Sequence, residues 1–452
     1  MRQAAPNILL ITIDSLRADA TGVGRTPFFD SLSRRSYVFT RAIVPSIPTF
    51  FCFPSIMTGQ PPFSSGYFLG IPKSRSVQTI AQVLSNNGYS TAAFIADNPN
   101  LYTIYNYDLG FDYYFDGFDV SKKRFLSWSR FLWDFRKHVP DVLLDVVDYL
   151  SAAVKLLRGG VSISYPGQEL NVRVKAHIES RRKVPFFCWV HYMDAHLPYA
   201  TGIPRYFFSG SSVFGRLLRK FQLFAELPKS IRKLKTSSPE ATAILRAAYE
   251  SCVRCVDDAL SDLVTWVKTH YPDTVIIITS DHGDEFMEHG HFQHEPYSLY
   301  DELIRVPLLI HLPTDRRQAI DRPVSLVSLA KTICELAEIK HHKFVGSNLL
   351  GNRVSIIDSM SRTLLGCRSP QVRHGILDTK TPIVGYTEIW SYRGARYKYI
   401  LDTAWEKEEL YDLEKDPFER VNQIARAQRL HIAEISALHS IMNSLRRTHD
   451  TR

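Results

Sequence analysis

The chain carries short, continuous apolar runs that each end at polar residues. Runs of this length without alternation are typical of strands buried on both faces, as in parallel sheets. Amphipathic stretches with helical spacing lie between them, at 77–87, which ends before Gly88, and at 239–269. This alternation of strand and helix predicts an α/β protein with a doubly wound sheet flanked by helices. The four apolar runs are 7–13, 90–96, 185–193 and 274–279.

Each apolar run is followed by side chains that bind metals or transfer protons. The carboxyl ends of parallel strands form one edge of a sheet, and ligands bind at that edge. Carboxylates and imidazoles that converge there from distant parts of the chain indicate a metal or catalytic site. The strand-end residues are Asp14, Asp97, Asn98, Asp194, His196, Asp281 and His282, and the segment TSDHGDEFMEHGHFQH at 279–294 adds His289, His291 and His294.

Two segments interrupt this pattern, at 121–160 and 205–236. Both mix Lys and Arg with aromatic and aliphatic residues, which predicts amphipathic helices inserted between core elements. They either pack their apolar faces on the core or form a surface that touches anionic lipid or polymer. After about residue 375, short strand-like runs end in a polar helix. We therefore expect a catalytic domain over 1–375 and a smaller subdomain over 376–452.

The composition narrows the class of protein. With 452 residues, 45% of them hydrophobic, the chain can bury a large core. Its formal charge of +9 suits an anionic substrate or an anionic membrane surface. Without an RNA-binding signature or a basic zipper, we expect no nucleic acid partner. Scattered cysteines, and no stretch with the length of a transmembrane helix or signal-peptide core, predict a cytoplasmic protein.

Several stretches along nearly the whole chain resemble, in order, those of one enzyme family. They are NILLITIDSLRAD, PSIMTGQPP, HYMDAHLPY, TSDHGDEFMEHG, LIRVPLLIH and, at 397–422, YKYILDTAWEKEELYDLEKDPFERVN. The chain resembles the sulfatase family of the alkaline phosphatase superfamily. The resemblance implies an alkaline phosphatase-like fold, with a mostly parallel sheet and a smaller C-terminal α+β subdomain.

The candidate nucleophile lies in VPSIPTFFCFPSIMTG, residues 44–59. In the family, the nucleophile stands nine residues before the Thr of a Thr-Gly pair, and counting back from Thr58 gives Thr49. Pro48 and the apolar run after it predict that Thr49 opens a helix, whose free N–H groups and dipole favour an anionic ester. The alternatives are that Thr49 is only an N-cap, or that Ser46 or Cys52 is the nucleophile.

The same segment departs from the sulfatase signature, which is Cys or Ser, any residue, Pro, any residue, Arg. Read from Cys52, the Arg position is Ile56; read from Thr49, it is Phe53, and the Pro is also missing. Thr cannot become formylglycine and Cys52 lacks the recognition sequence, so we expect no formylglycine. Thr49 instead resembles the Thr of nucleotide pyrophosphatase-like phosphodiesterases, lipoteichoic acid synthases and phosphoethanolamine transferases.

The resemblance also implies the metal ligands. Asp14, Asp281 and His282 would hold one divalent cation beside Thr49, with the Thr49 hydroxyl as a fourth contact. Sulfatases commonly place a second Asp after the first, and here that position is Ser15. The ligand set therefore resembles single-metal, Mn²⁺-type phosphotransferases more than Ca²⁺ sulfatases. Oxygen ligands with one imidazole suit Mn²⁺ first, with Mg²⁺, Ca²⁺ and Zn²⁺ as further candidates.

The leaving-group side of the site follows from the same resemblance. His196 matches a family His that faces the substrate ester, and His294 lies near a family Lys or His that contacts the same group. Either could protonate the leaving oxygen, while a second metal held by both is the lower-ranked arrangement. Asn98 stands where the family often has a substrate-contacting polar residue.

These features together predict a metal-dependent enzyme that cleaves or transfers a phosphate-type ester through Thr49. We expect the substrate to be an anionic ester linked to a glycan or a lipid. One alternative is a sulfuric ester hydrolase that works without formylglycine. The other, of a different class, is an inactive relative that binds an anionic polymer or a membrane surface, with peripheral membrane contact through the basic segments.

Overall fold

The computed structural model of this protein describes residues 5–117, 165–199, 239–365 and 387–427, together with two short strands at 372–373 and 376–377. Within these ranges, positions 23, 63–69, 75, 182–184, 198, 295, 297, 340–342, 354 and 404 are not described. The basic segments predicted at 121–160 and 205–236 lie outside the described residues.

Eight strands of the described chain form one sheet. They are β1 (Asn7–Ile13), β2 (Tyr37–Ile43), β3 (Ser90–Ile95), β4 (Tyr113–Phe115), β5 (Phe186–Tyr192), β6 (Thr274–Ser280) and, after a separate hairpin of β7 (Glu285–Phe286) and β8 (Phe292–Gln293), β9 (Leu308–His311) and β10 (Gln318–Ser325). Their order across the sheet is β10-β2-β9-β6-β1-β5-β3-β4. Only β9 among these eight runs antiparallel to its neighbours, which confirms the predicted mostly parallel sheet.

The central strands are continuous apolar runs because both of their faces are buried. Alternate side chains of β1 pack into two separate core clusters, one on each face of the sheet. In the parallel register, Ile13 pairs with Tyr192 of β5 on one side and with Ser280 of β6 on the other. The residues that follow these three strands therefore leave the sheet side by side at its carboxyl edge.

Helices cover both faces of this sheet. They are α1 (Pro27–Ser33), α2 (Thr49–Thr58), α3 (Ile80–Ser85), α4 (Gly167–Ser180), α5 (Pro239–His270), α6 (Asp301–Ile304) and α7 (Leu329–Leu336). A further helix, α8 (Ile424–Ala427), packs on a small C-terminal sheet. The long helix predicted at 239–269 is α5. The helix predicted at 77–87 is shorter because Thr79 caps α3 in a capping box with Gln82. No helix in the described ranges combines the length and apolar character that crossing a membrane requires.

A second, antiparallel sheet lies near the C-terminus. Its strands are β11 (Met360–Leu365), then, after the short pair β12 (Val372–Arg373) and β13 (Ile376–Leu377), β14 (Thr387–Arg393), β15 (Tyr397–Asp402) and β16 (Lys407–Asp412). Their order is β11-β14-β15-β16. Because β11 precedes residue 375, this small sheet draws strands from both sides of that position.

A buried ion cluster joins the small sheet to the main one. Nζ of Lys398, on β15, lies 2.9 Å from Oδ1 of Asp301 and 2.7 Å from Oε1 of Glu419. Asp301 begins α6, and the carbonyl of Leu303 in the same helix accepts a hydrogen bond of 2.8 Å from the N–H of Gly283. The small sheet therefore anchors, through α6, the loop that leaves β6.

Candidate active site

Asp14, Asp281 and His282 meet at the carboxyl edge of the main sheet. Asp14 follows β1 and the other two follow β6, so the parallel register brings them together. All three side chains are fully buried. Nε2 of His282 lies 3.4 Å from Oδ2 of Asp281 and 3.8 Å from Oδ1 of Asp14. One ligand atom from each residue lies within 4.8 Å of the other two, which is the spacing of a cation site.

Thr49 faces this group of side chains from the start of α2. Pro48 is the N-cap residue, so Thr49 is the first residue of the helix, as the sequence predicts, and is not the N-cap. Oγ1 of Thr49 lies 3.0 Å from Nε2 of His282 and 3.5 Å from Oδ2 of Asp14. The Thr49 hydroxyl is thus directed at the same point as the candidate metal ligands.

The two alternative nucleophiles have different surroundings. Cys52 is fully buried in the apolar core cluster under α2. Burial raises the pKa of the Cys52 thiol, and the charges of Asp281 and Asp14 raise it further. The reactive form of cysteine is the thiolate, which this environment disfavours. Oγ of Ser46 lies 3.5 Å from the carbonyl oxygen of Ile47, the neighbouring residue.

The buried carboxylates of Asp14 and Asp281 have pKa values that are shifted in opposite directions. Burial raises the pKa of Asp281, and the charge of Asp14 raises it further. Burial also acts on Asp14, but the charge of His196 and a hydrogen bond from His191 outweigh it and hold the pKa of Asp14 well below its usual range. Oδ2 of Asp281 is buried without a hydrogen-bond partner in the described structure. Since a buried carboxylate oxygen without a hydrogen-bond donor is costly unless it meets a cation, these residues fit a divalent metal.

The ring of His282 is oriented by a backbone carbonyl. Nδ1 lies 2.9 Å from the oxygen of Gly283, so Nδ1 carries the proton and Nε2 keeps its lone pair toward Thr49. Burial and then the charge of His294 lower the pKa of His282 to about 4. The imidazole is therefore neutral at physiological pH and can bind a metal through Nε2.

His196 and His294 lie beside His282. The ring centroid of His294 is 4.3 Å from that of His282 and 5.2 Å from that of His196. Nδ1 of His294 lies 2.6 Å from Oδ1 of Asp284, whose Oδ2 accepts a hydrogen bond of 2.8 Å from the hydroxyl of Tyr199. Burial opposes the protonation of His294, but the charge and the hydrogen bond of Asp284 outweigh it and raise the pKa of His294 to about 9.

A second set of ligand atoms with cation-site spacing belongs to His282, Asp284 and His294. In this set the Nδ1 atom of His294 already has Asp284 as its hydrogen-bond partner. The binuclear arrangement ranked second in the sequence analysis placed His196 with His294. The structure places the rings of His196 and His294 5.2 Å apart and also brings Asp284 to His294, so the binuclear arrangement stays a prediction.

Asn98 reaches Asp14 from the end of β3. Its side chain is almost fully buried, and Nδ2 donates a hydrogen bond of 2.8 Å to Oδ2 of Asp14. Nε2 of His191 lies 3.4 Å from the same oxygen. The structure thus makes Asn98 a neighbour of a candidate metal ligand, and its contact with substrate stays a prediction.

Sequence reasoning missed His191 and Asp284. His191 is the one imidazole within the apolar run of β5, and that isolated polar residue was the available signal. Asp284 lies in the polar loop after β6. Because this loop has several acidic residues, the sequence does not indicate which of them pairs with His294.

Asp194 and Asp97, also grouped with the site by their strand-end positions, point elsewhere. Both carboxylate oxygens of Asp194 accept from the N–H of Gly167, at 3.0 and 3.1 Å, at the start of α4. Oδ1 of Asp97 accepts a hydrogen bond of 2.6 Å from the hydroxyl of Tyr102. Asp97 and Asp194 follow strands as Asp14 does, but their side chains are directed to these other partners.

His289 and His291 lie on the side of the loop that faces the small sheet. The His289 ring stacks on Tyr300 with centroids 3.6 Å apart, and its Nε2 lies 3.4 Å from Oε2 of Glu302. His291 lines a cavity together with Lys407 and other residues of the small sheet. These contacts place both histidines toward the small sheet, and a role for either of them at the candidate site stays a prediction.

A mostly parallel sheet flanked by helices, with carboxylates and imidazoles at its carboxyl edge and a small C-terminal antiparallel sheet, defines an alkaline phosphatase-like protein. The family model named Sulfatase matches residues 6–339, so the chain belongs to the sulfatase family of the alkaline phosphatase superfamily.

Individual relatives are distant. The chain is 24% identical over 251 residues to the "Uncharacterized sulfatase YidJ" of Escherichia coli (strain K12), a match that covers 54% of this chain and 48% of that protein. The chain thus spans about half the length of that curated relative.

Two solved structures resemble the chain over almost its whole length. The phosphonate monoester hydrolase of Agrobacterium radiobacter has a TM-score of 0.63 and 20% identity, over 98% of this chain and 96% of that one. A structure in complex with its substrate D-glucosamine-2-N,6-O-disulfate has a TM-score of 0.68 and 16% identity, over 99% of both chains. At these identities the likeness shows a shared fold.

Proposed function

We propose that this protein is a metal-dependent enzyme that cleaves or transfers a phosphate-type ester, with the hydroxyl of Thr49 as the nucleophile. The observation that carries the proposal is the position of Oγ1 of Thr49, 3.0 Å from Nε2 of His282 and 3.5 Å from Oδ2 of Asp14. A threonine hydroxyl is a weak nucleophile until its surroundings lower its pKa. Thr49 lies where candidate cation ligands and the start of a helix, both favourable to an anion, coincide.

Asp14, Asp281 and His282 would hold one divalent cation, with Oγ1 of Thr49 as a further contact. A divalent cation bound there lowers the pKa of the nearby hydroxyl and offsets the negative charge of the ester. Two carboxylates with one imidazole favour Mn²⁺, then Mg²⁺, with Ca²⁺ and Zn²⁺ as lower-ranked candidates. The buried oxygen of Asp281 without a partner supports a bound cation.

In the proposed reaction, the deprotonated oxygen of Thr49 attacks phosphorus, and the bond between phosphorus and the alcohol oxygen breaks. The departing oxygen takes a proton from His294 or His196 and leaves as the alcohol. In the second step, water or a second hydroxyl gives a proton back to that histidine as its oxygen bonds to phosphorus, and the bond between phosphorus and Oγ1 of Thr49 breaks, which restores the threonine. His294 suits the donor role because its pKa is raised to about 9, so the ring holds a proton at neutral pH.

A sulfuric ester hydrolase without formylglycine is the second candidate function. Family membership favours it, as does a structural neighbour with a disulfated glucosamine substrate. Against it stand a threonine at the nucleophile position and a buried Cys52 with Ile56 where the signature has Arg. A catalytically inactive relative that binds an anionic polymer or a membrane surface is less favoured, because Asp14, Thr49, Asp281 and His282 are all present and assembled.

The test is a panel of matched substrates. Purified, metal-depleted protein is incubated with an aryl sulfate, a phosphate monoester, a phosphodiester and a phosphonate monoester, each with and without added Mn²⁺. We expect Mn²⁺-dependent turnover of at least one phosphorus ester, well above that of the sulfate. Turnover restricted to the aryl sulfate would establish the second candidate, and no turnover of any ester would favour the inactive relative.

A further inference from the structure

We propose that Trp189, Thr12 and His191 form a hydrogen-bond relay that orients the carboxylate of Asp14. His191 is a positioning residue in this proposal, since it acts on the site through Asp14. The inference rests on the proposed function only in taking Asp14 as a cation ligand.

The four side chains form an unbroken line beneath the site. Nε1 of Trp189 donates a hydrogen bond of 2.9 Å to Oγ1 of Thr12. Oγ1 of Thr12 lies 2.9 Å from Nδ1 of His191, and Nε2 of His191 lies 3.4 Å from Oδ2 of Asp14. All four residues have no exposed surface, so the relay runs entirely within the protein.

The relay has a defined direction, in which each group donates a hydrogen bond to the next one toward Asp14. An indole N–H can only donate, so the Thr12 oxygen accepts from Trp189. In the proposed relay, the Thr12 hydroxyl donates its own proton to Nδ1 of His191. With Nδ1 as the acceptor, the proton of the neutral imidazole is on Nε2, the atom that faces Asp14. The relay therefore selects the tautomer of His191 that donates toward a carboxylate.

Asn98 supplies a second restraint on the same oxygen, and its Nδ2 also lies 3.3 Å from Nε2 of His191. Its Oδ1 accepts a hydrogen bond of 2.9 Å from the N–H of Asn100, which fixes the amide so that Nδ2 points at Oδ2 of Asp14. The ring of Phe53 meets the ring of His191 edge to face at 5.1 Å and holds it in place. Two fixed donors thus converge on one oxygen of Asp14.

This arrangement suits a metal ligand that must be preorganised. Carboxylates that bind metals are commonly held by outer hydrogen bonds, and loss of such a bond typically weakens metal affinity by about 10–100-fold. Asp14 also follows directly on a strand and precedes Ser15, whose φ is +60°. The carboxylate of Asp14 is therefore held in place both by its own backbone and by the relay.

The experiment compares Thr12→Val with Thr12→Ser. Valine keeps the shape of threonine but removes the hydroxyl, whereas serine keeps the hydroxyl and loses a methyl group. Mn²⁺ affinity is measured without substrate, from the electron paramagnetic resonance signal of free Mn²⁺. We expect Thr12→Val to weaken binding about 10–100-fold and Thr12→Ser to stay within about 3-fold of wild type. Equal affinities of the valine and serine variants would overturn the relay, provided that both melt as cooperatively as wild type.

A second readout examines the tautomer directly. In metal-free protein labelled with ¹⁵N-histidine, long-range correlation spectra distinguish Nδ1–H from Nε2–H, and the spectrum of His191→Asn identifies the His191 signals. We expect wild-type His191 to carry its proton on Nε2 and Thr12→Val to shift it toward Nδ1. A proton on Nδ1 in wild type would overturn the relay. Wild-type protein that binds no Mn²⁺ yet shows the Nε2–H form would instead overturn the proposed metal role of Asp14 and leave the relay standing.

Discussion

Nε2 of His282 and Oγ1 of Thr49 lie 3.0 Å apart, although 233 positions separate the two residues in the sequence. His282 is fixed by its bond to the Gly283 carbonyl, and Thr49 by its place at the first position of α2. The end of β6 and the start of α2 therefore set the positions of these two groups. A hydroxyl held in this way against a neutral imidazole and two carboxylates is the geometry on which the proposed nucleophile role of Thr49 rests.

Replacing Thr49 with Ala is expected to reduce turnover by on the order of 10⁴-fold or more, since the variant has no nucleophile at this position. Cys52→Ala and Ser46→Ala should retain most of the wild-type rate. Initial rates on the best substrate of the panel measure the effect, with circular dichroism to verify folding. An inactive, folded Cys52→Ala variant would transfer the nucleophile role to Cys52 and reopen the sulfatase mechanism.

Replacing His196 or His294 with Ala is expected to slow esters of poorly acidic alcohols far more than activated aryl esters. A poor leaving group needs a proton, and general acid help is typically worth ~10²–10⁴-fold in rate. The measurement is kcat/KM for a series of leaving groups of graded acidity, alongside the metal content of each variant. Equal slowing across the series would mean that these residues only position the substrate, and lost metal would make the replaced histidine a ligand.

Chelation of the metal should both inactivate and destabilise the protein. A cation bound at the proposed site would stabilise the folded state by about 2.7 kcal/mol with the free ion at 100 times its dissociation constant. Thermal unfolding after chelation should therefore occur at a lower temperature and recover on addition of Mn²⁺. The variant Asp281→Asn serves as the control, because its unfolding should respond far less to Mn²⁺. An unfolding temperature of wild type that ignores both chelator and Mn²⁺ would contradict the cation site.

The stability of the protein should depend on the ionisation of Asp194, away from the site. Burial raises the pKa of Asp194 to about 7, despite hydrogen bonds from the Gly167 N–H. Because the folded state binds this proton more tightly than the unfolded state, the contribution of Asp194 is fully present below pH 4. It falls as the pH rises toward 7, by up to ~1.4 kcal/mol per pH unit, and is constant above that.

Asp194→Asn removes this titration while keeping an oxygen that can accept from Gly167. Urea unfolding of both proteins at several pH values gives the comparison. We expect the free energy of unfolding of the Asn variant to gain on that of wild type between pH 5 and 7, and the gap to level off above pH 7. A gap that is independent of pH would mean that Asp194 is ionised throughout.

The ion cluster around Lys398 should contribute strongly to folding. Lys398→Met leaves the carboxylates of Asp301 and Glu419 buried without this cation, and breaking a buried pair typically costs ~3–5 kcal/mol. The matched control is Lys175→Met, because Lys175 pairs with Asp262 at the surface and such pairs are worth about 1 kcal/mol or less. Urea unfolding measures both, and similar small losses in the two variants would refute the role of the cluster.

The sequence predicted the parts of the site that depend on strand register. Asp14, Asp281 and His282 each follow an apolar run directly, and parallel pairing places such residues together whatever the loops do. The position of Thr49 at a helix start was likewise readable from Pro48 and the apolar residues that follow. The mostly parallel sheet and the long helix α5 followed from the same hydrophobic patterns.

What the sequence could not supply is the direction of side chains beyond the strands. Asp194 follows β5 as Asp14 follows β1, yet Asp194 turns to the N–H of Gly167. His191 was hidden because a strand pattern does not say which buried polar residue faces a functional group. These outcomes depend on long-range packing, which periodicity in one chain does not contain.

The N–H of Gly283 donates a hydrogen bond to the carbonyl of Leu303, and Lys398 holds Asp301 at the start of the same helix. These two contacts limit how the small sheet could be exchanged for that of another protein. The small sheet is not a detachable module, since it anchors the loop that contains the candidate metal ligands Asp281 and His282. A chimera that takes its C-terminal sheet from another family member must preserve the Asp301–Lys398–Glu419 match across the junction. Such an exchange would therefore have to match these three residues as well as those of the candidate site.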